Sequence, residues 1–174
     1  MLAEFFEIIF DFLSTGREVL LIIMVNTFFL WILIFERFLF FKLSYPNLAK
    51  ELIQNWMKRS DRTSWNARVI RDYTISKNGA KLFKNISLIK TLVAICPLLG
   101  LLGTVTGMIA VFEVMALTGT GNARLMASGI SMATIPTMAG MVAALSGIYF
   151  GSLFENRAKI ESKKLAEELS FSGD

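Results

Sequence analysis

Two stretches carry the residues with the most chemical potential: CPLLGLLGTVTGMIAVFE, Cys96–Glu113, and GISMATIPTMAGMVAALSGIYFG, Gly129–Gly151. Their hydroxyls, Thr104, Thr134 and Thr137, can each donate and accept hydrogen bonds. Threonine does not titrate in the physiological range. The chemistry open to these residues is therefore to hydrate or hydrogen-bond a mobile ion, not to store its proton. The glycines and alanines around them suit close approach of two backbones.

Other chemistries are excluded by count. The chain has no histidine and one cysteine. No internal disulfide, Cys/His metal cluster, histidine-ligated haem or Ser-His-Asp triad can be built from it, and it calls for no cofactor and no metal. Cys96 reads as a small buried hydrophobe. The Ser146-Gly147 pair loosely resembles the serine site of intramembrane proteases, but no base is available. The chain is read as a non-enzyme.

Projected at about 100° per residue, Gly100, Gly103 and Gly107 fall within about 60° of one another, and Thr104 lies about 40° from the first. Gly103 and Gly107 form a GxxxG pair. Ala133, Thr134, Thr137, Gly140, Met141 and Ala144 share the side of Thr137. Thr104 lies nine residues from Glu113 and Thr137 eight from Gly129, or about 13 Å and 12 Å below those ends. Antiparallel helices would bring the two hydroxyls to one level. Packing explains the small residues, and a threonine can also bond back to its own helix. Pro97 and Pro136 are expected to kink the two helices and free backbone carbonyls.

The elements that must position these groups are membrane helices. The 174 residues are 54% hydrophobic, with a mean hydropathy of +0.55. The apolar residues gather at 19–43, 91–113 and 129–154, each long enough to cross a hydrocarbon core of about 30 Å as helix. The first span is bulky and reads as lipid-facing. Glu36 and Arg37 follow near its end, where arginine can snorkel, and Pro46 reads as a turn. Residues 44–90 show helical spacing with a break around Ser60–Ser64, and a helix from Asn66 is expected to run almost unbroken into the second span. Residues 1–18 read as an amphipathic helix on the membrane surface, with Glu4, Glu7 and Asp11 on one side and no signal-peptide pattern. The fold class is all-α.

Charge orients the spans. Lys50, Lys58, Arg59, Arg62, Arg68, Arg71, Lys77, Lys81, Lys84 and Lys90 crowd the 44–90 segment, against Glu51, Asp61 and Asp72. The 114–128 loop has only Arg124, and the 155–174 tail has Arg157, Lys159, Lys163 and Lys164. The positive-inside rule puts 44–90 and the tail in the cytoplasm, and the N-terminus and the 114–128 loop outside. Two spans would then extend as helices into the cytoplasm. This bias accounts for the basic residues without nucleic acid.

PLLGLLGTVTGM resembles the P-x-x-G-L-x-G-T-V-x-G-[IM] segment of the ExbB/TolQ/MotA proton-channel family. The third span is similar to that family's G-I-x-x-A-L-x-x-T-x-x-G-x-x-x-A stretch, and ERF after the first span to its ER. The resemblance covers all three spans. It implies a short ExbB-type subunit of the bacterial inner membrane. It also implies a homo-oligomer, a pentamer, around an ExbD-like single-span partner that supplies an aspartate, with TonB as the protein driven. Thr104, Thr134 and Thr137 would then line the proton path. Met132 stands where many relatives carry a glutamate. A TolQ-like subunit of the Tol-Pal system and a scaffold with no ion path stay open as alternatives.

The orientation is tested with an impermeant thiol reagent on intact spheroplasts. Gly121→Cys should react and Ser64→Cys should not. The reverse pattern would overturn the assigned topology.

Overall fold

A computed structural model describes residues 17–118 and 123–169. The segment expected as a surface helix lies almost wholly outside them, as does the centre of the 114–128 loop. Among the described residues every regular element is helical: α1 (Arg17–Leu39), a π-helical turn (Phe40–Ser44), α2 (Tyr45–Met57), α3 (Trp65–Phe83), α4 (Ile86–Thr118) and α5 (Ala123–Glu168). Three helical stretches are long and apolar enough to cross a membrane: Val19–Met57, Trp65–Leu117 and Met126–Glu168. The chain is thus an all-α, multi-pass membrane protein.

Pro46 marks no turn. It lies in the first turn of α2, where its missing N–H costs little. The π turn before it resets the ladder, and the Tyr45 N–H donates to the Phe40 carbonyl. The first span therefore continues as helix to Met57. The break near Ser60–Ser64 is present, and Ser64 caps α3 by accepting from the Ala67 N–H at 3.3 Å. Asp61 Oδ1 accepts from the backbone N–H groups of Thr63 and Ser64. Hydrogen bonding to Ser64, its side chain first, holds the Asp61 carboxyl below the usual carboxylate range.

The helix expected to run almost unbroken from Asn66 into the second span does so, with one short interruption between α3 and α4. Lys84 is extended, with ψ 139°, and Asn85 adopts φ 62°. Asparagine is one of the few non-glycine residues that tolerate this left-handed region.

Contacts divide the chain into two units. The first joins residues up to Trp31 with Lys90–Ile148. In it α1 is not lipid-facing all round. Val19, Leu20, Ile23 and Leu30 are buried, while Phe28, Phe29 and Trp31 remain exposed.

The second unit joins Ile32–Ile89 with residues from Tyr149 onward. Its core cluster is Trp56, Ala67, Leu165 and Leu169, with Leu52, Ile53 and Ile75 packed against it. Phe41 stacks on Phe154 with centroids 6.0 Å apart, and the Tyr45 hydroxyl donates to the Glu161 carbonyl. Arg71 closes the end of α5. Its Nε donates to the Leu169 carbonyl at 2.7 Å and its Nη2 to the Ala166 carbonyl at 3.1 Å. The last carbonyls of a helix have no partner within it, so a guanidinium fork is well matched to them.

Arg71→Ala should cost about 1–3 kcal/mol locally, the typical effect of losing charged hydrogen bonds to such groups. Amide exchange at residues 161–169 should quicken while that at 100–107 stays put. Unchanged exchange at the end of α5 would show that Arg71 does not hold it.

Candidate functional site

In the first unit α4 and α5 meet through residues with little or no side chain. A Cβ added at Gly107 would lie 2.7 Å from Ala133 Cα, and one at Gly100 would lie 2.9 Å from Thr137 Cα. At Gly140 it would lie 2.5 Å from the Cys96 carbonyl oxygen. Gly103 lies against the Pro136 ring, and Gly147 against Val93 and Leu30. The pairs descend in antiparallel order: 107 with 133, 103 with 136, 100 with 137, 96 with 140 and 93 with 147. Non-hydrogen side-chain atoms do not normally approach that closely, so glycine is required at these crossings. Ala144 is buried on the same line. Pro97 and Pro136 both sit inside unbroken helices, and Pro136 is itself part of the contact.

The three threonines have different surroundings. The Thr137 hydroxyl, half-buried, donates across the interface to the Gly100 carbonyl at 2.8 Å. Such a bond between membrane helices contributes on average about 0.6 kcal/mol and at most about 1.7 kcal/mol. Thr104 is half-buried and donates to Leu101 in its own helix at 2.6 Å. Thr134 is exposed on the protomer and donates to Ser131 at 3.0 Å. Each oxygen keeps capacity to accept. Projection puts Thr134 and Met141 with Thr137, but the contact line between close-packed backbones is narrow and leaves both outside it. Met132 is 43% exposed.

Asn26 escapes the sequence reading. Its Nδ2 donates to the Leu92 carbonyl at 3.2 Å and lies 3.1 Å from the Cys96 sulfur. This ties α1 to α4. The signal was present: an amide standing in an otherwise bulky apolar span, where a polar group needs a partner.

An open apolar groove of about 940 Å³ also runs between α1 and α5, past Met24, Phe28, Met138 and Val142. The two hydroxyls along it, Thr27 and Ser146, donate to their own helices. It thus offers water-excluding surface and no polar group aimed at a ligand. Among the described residues no group of carboxylates and sulfur could hold a metal.

These features describe spanning helices closed on each other by glycine, with hydroxyls at the seam. The profile of the MotA/TolQ/ExbB proton channel family matches residues 43–167. The chain belongs to that family. It is similar to a biopolymer transport protein named ExbB-like 1 from Synechocystis sp., with 42% identity over 81 residues, covering 45% of this chain and 32% of the relative. It is also similar to ExbB-like 3 from the same organism, with 38% identity over 72 residues, covering 40% of this chain and 34% of the relative. The matched stretch thus spans about a third of each curated relative's length.

Gly140→Ala places a methyl against a backbone carbonyl that cannot rotate away. It should destabilise the protein in detergent by about 1–3 kcal/mol, as overpacking does, read as a lowered midpoint of thermal unfolding. Gly79→Ala is the control, since a Cβ there meets only Ser162 Oγ, 4.0 Å away. Equal midpoints for the two variants would contradict the close contact.

Proposed function

We propose that this chain is an ExbB-like subunit of a proton-motive-force-driven motor in the bacterial inner membrane, and that the motor energises TonB for outer-membrane nutrient import such as that of iron-siderophores. In this reading it forms a homo-oligomer, a pentamer, around an ExbD-like single-span protein, with residues 44–90 and the tail in the cytoplasm. Family membership over most of the chain supports the class, and the ExbB-like names of its relatives favour this branch.

One observation carries the mechanism. Between Lys90 and Glu113, and from Gly129 to Phe154, the sequence contains no Asp, Glu, Lys, Arg or His. Coupling to the membrane field needs a group that gains and loses a proton within it. The carrier must then come from the partner, as an aspartate facing this chain's hydroxyls. Thr104 and Thr134 would solvate that carboxylate, each through the oxygen lone pairs left after donating to its own helix. Thr137 would serve chiefly to set the distance between α4 and α5.

The test uses cells lacking their own transducer and supplied with this chain and its single-span partner. A hydrogen bond to a charged group contributes about 1.5–3 kcal/mol, so removing both hydroxyls should slow uptake about tenfold or more. The Thr104→Val, Thr134→Val double variant should assemble normally by native mass spectrometry yet show this loss. Full uptake by an assembled double variant would contradict the assignment of the hydroxyls.

A further inference from the structure

α3 carries apolar residues on two sides, and the second unit uses only one of them. On its inner side Ala67, Asn78 and Leu82 are buried, and Ile75 packs against the core cluster. The other side runs Trp65, Val69, Tyr73, Ser76, Ala80 and Phe83. These residues recur on average every ~3.6 positions and project within about 80° of one another, so they form one straight stripe about 27 Å long. All of them are exposed, Trp65 by 76%, Tyr73 by 63%, Val69 by 48% and Phe83 by 40%. No charge interrupts the stripe. Yet it belongs to the 44–90 segment, whose many Lys and Arg keep it out of hydrocarbon. A helix that packs by one face has a polar outer face. A second apolar stripe, exposed to water, marks an interaction surface.

Its size and its border define the occupant. Aromatic side chains bury about 150–250 Å² each when covered. At these exposures the three rings of the stripe offer roughly 350 Å². That is less than half of the about 800 Å² per partner in a stable interface between folded proteins, and it suits a single helix. Ser76 and Ala80 leave a dip between Tyr73 and Phe83 where such a helix can approach closely. The border is cationic. Lys77 Nζ lies over the Tyr73 ring, 5.4 Å from its centroid, and Lys81 and Lys84 are exposed along the same edge. Asp72, the one acid of α3, is already paired with Arg71 at 3.2 Å. A second copy of the chain has no matching face in this unit. α2 sets Lys50 against Glu51, and α5 from Tyr149 onward carries as many Lys and Arg as Glu. A bilayer surface would reward bulky apolar residues along the whole stripe, which Ser76 and Ala80 do not supply.

We propose that the stripe from Trp65 to Phe83 is a docking face for an acidic amphipathic helix of another protein. The apolar side of that helix lies along the stripe, with Trp65 and Tyr73 as its anchors. Its Asp and Glu side chains meet Lys77, Lys81 and Lys84, which fixes its orientation and speeds the encounter. The contact goes beyond the proposed function, since it involves no ion path and no residue of the first unit.

Photocrosslinking in the native host tests this on the full chain. Val69→p-benzoylphenylalanine places the reactive group between the two anchors and leaves both intact, and the peptide it captures is sequenced by mass spectrometry. The expected adduct is a segment of another protein with apolar residues at helical spacing and more Asp and Glu than Lys and Arg. Its yield should fall about tenfold when Lys77→Glu and Lys81→Glu are added, because like charges then face each other. The milder pair Lys77→Gln and Lys81→Gln should lower it about threefold, as loss of two exposed ion pairs would. Gln54→p-benzoylphenylalanine, on the exposed polar side of α2, should not capture that segment. Assembly by native mass spectrometry should be unchanged in every variant, since all these positions are exposed. An adduct with a second copy of this chain, with lipid or with a segment lacking acidic excess would overturn the proposal. So would no adduct, a yield indifferent to both lysine pairs, or a loss of assembly, which would place a second copy on the stripe.

Discussion

The constraint on which the first unit depends is the absence of side chains between α4 and α5. Lipid tails are as apolar as leucine, so apolar burial gives membrane helices little reason to associate. What remains is dispersion across a close contact and the few hydrogen bonds that cross it. Gly100, Gly103, Gly107 and Gly140 let the backbones touch, and Thr137 can then reach the Gly100 carbonyl. Move the helices apart by the width of a methyl group and both terms weaken together. The placement of Thr104 and Thr134 relative to that seam follows from the same contact.

The second unit is stabilised in another way. Its elements carry ordinary amphipathic faces, and Trp56, Leu165 and Leu169 bury apolar surface as in a water-soluble protein. Helix ends are closed by side chains: Ser64 at the start of α3, Arg71 at the end of α5 and Arg37 at the end of α3. The two units thus divide the physics of the chain. One relies on backbone proximity in an apolar medium, and the other on burial, capping and charge.

How much of this was legible in the residues depends on the range of the forces involved. Hydropathy and length disclose three spanning helices because a run of about 20 mainly apolar residues is what a helix needs to cross the hydrocarbon core. The glycine face is legible because helical geometry projects it. The π turn before Pro46 and the left-handed backbone at Asn85 were not legible. A proline is compatible with a turn or with a helix start, and an asparagine with helix or left-handed backbone. Contacts from distant residues decide between them, as Glu36 does for Asn85. Asn26 was overlooked because its partner, the Leu92 carbonyl, is a backbone group that no pattern of residue types displays. The division of the threonines was half-legible. Projection places them on one side of the helix but does not resolve which side of a narrow seam each occupies.

The central claim is that this chain shapes and hydrates a proton path without carrying the proton itself. It is tested most directly by reconstituting the purified chain in liposomes under an imposed pH gradient and recording internal pH, first alone and then with its single-span partner. The account predicts background leakage from the chain alone and proton flux only once the partner's carboxylate is present. Robust flux through the chain without any partner would contradict it, because no residue between Lys90 and Glu113, or from Gly129 to Phe154, could then be named as the carrier.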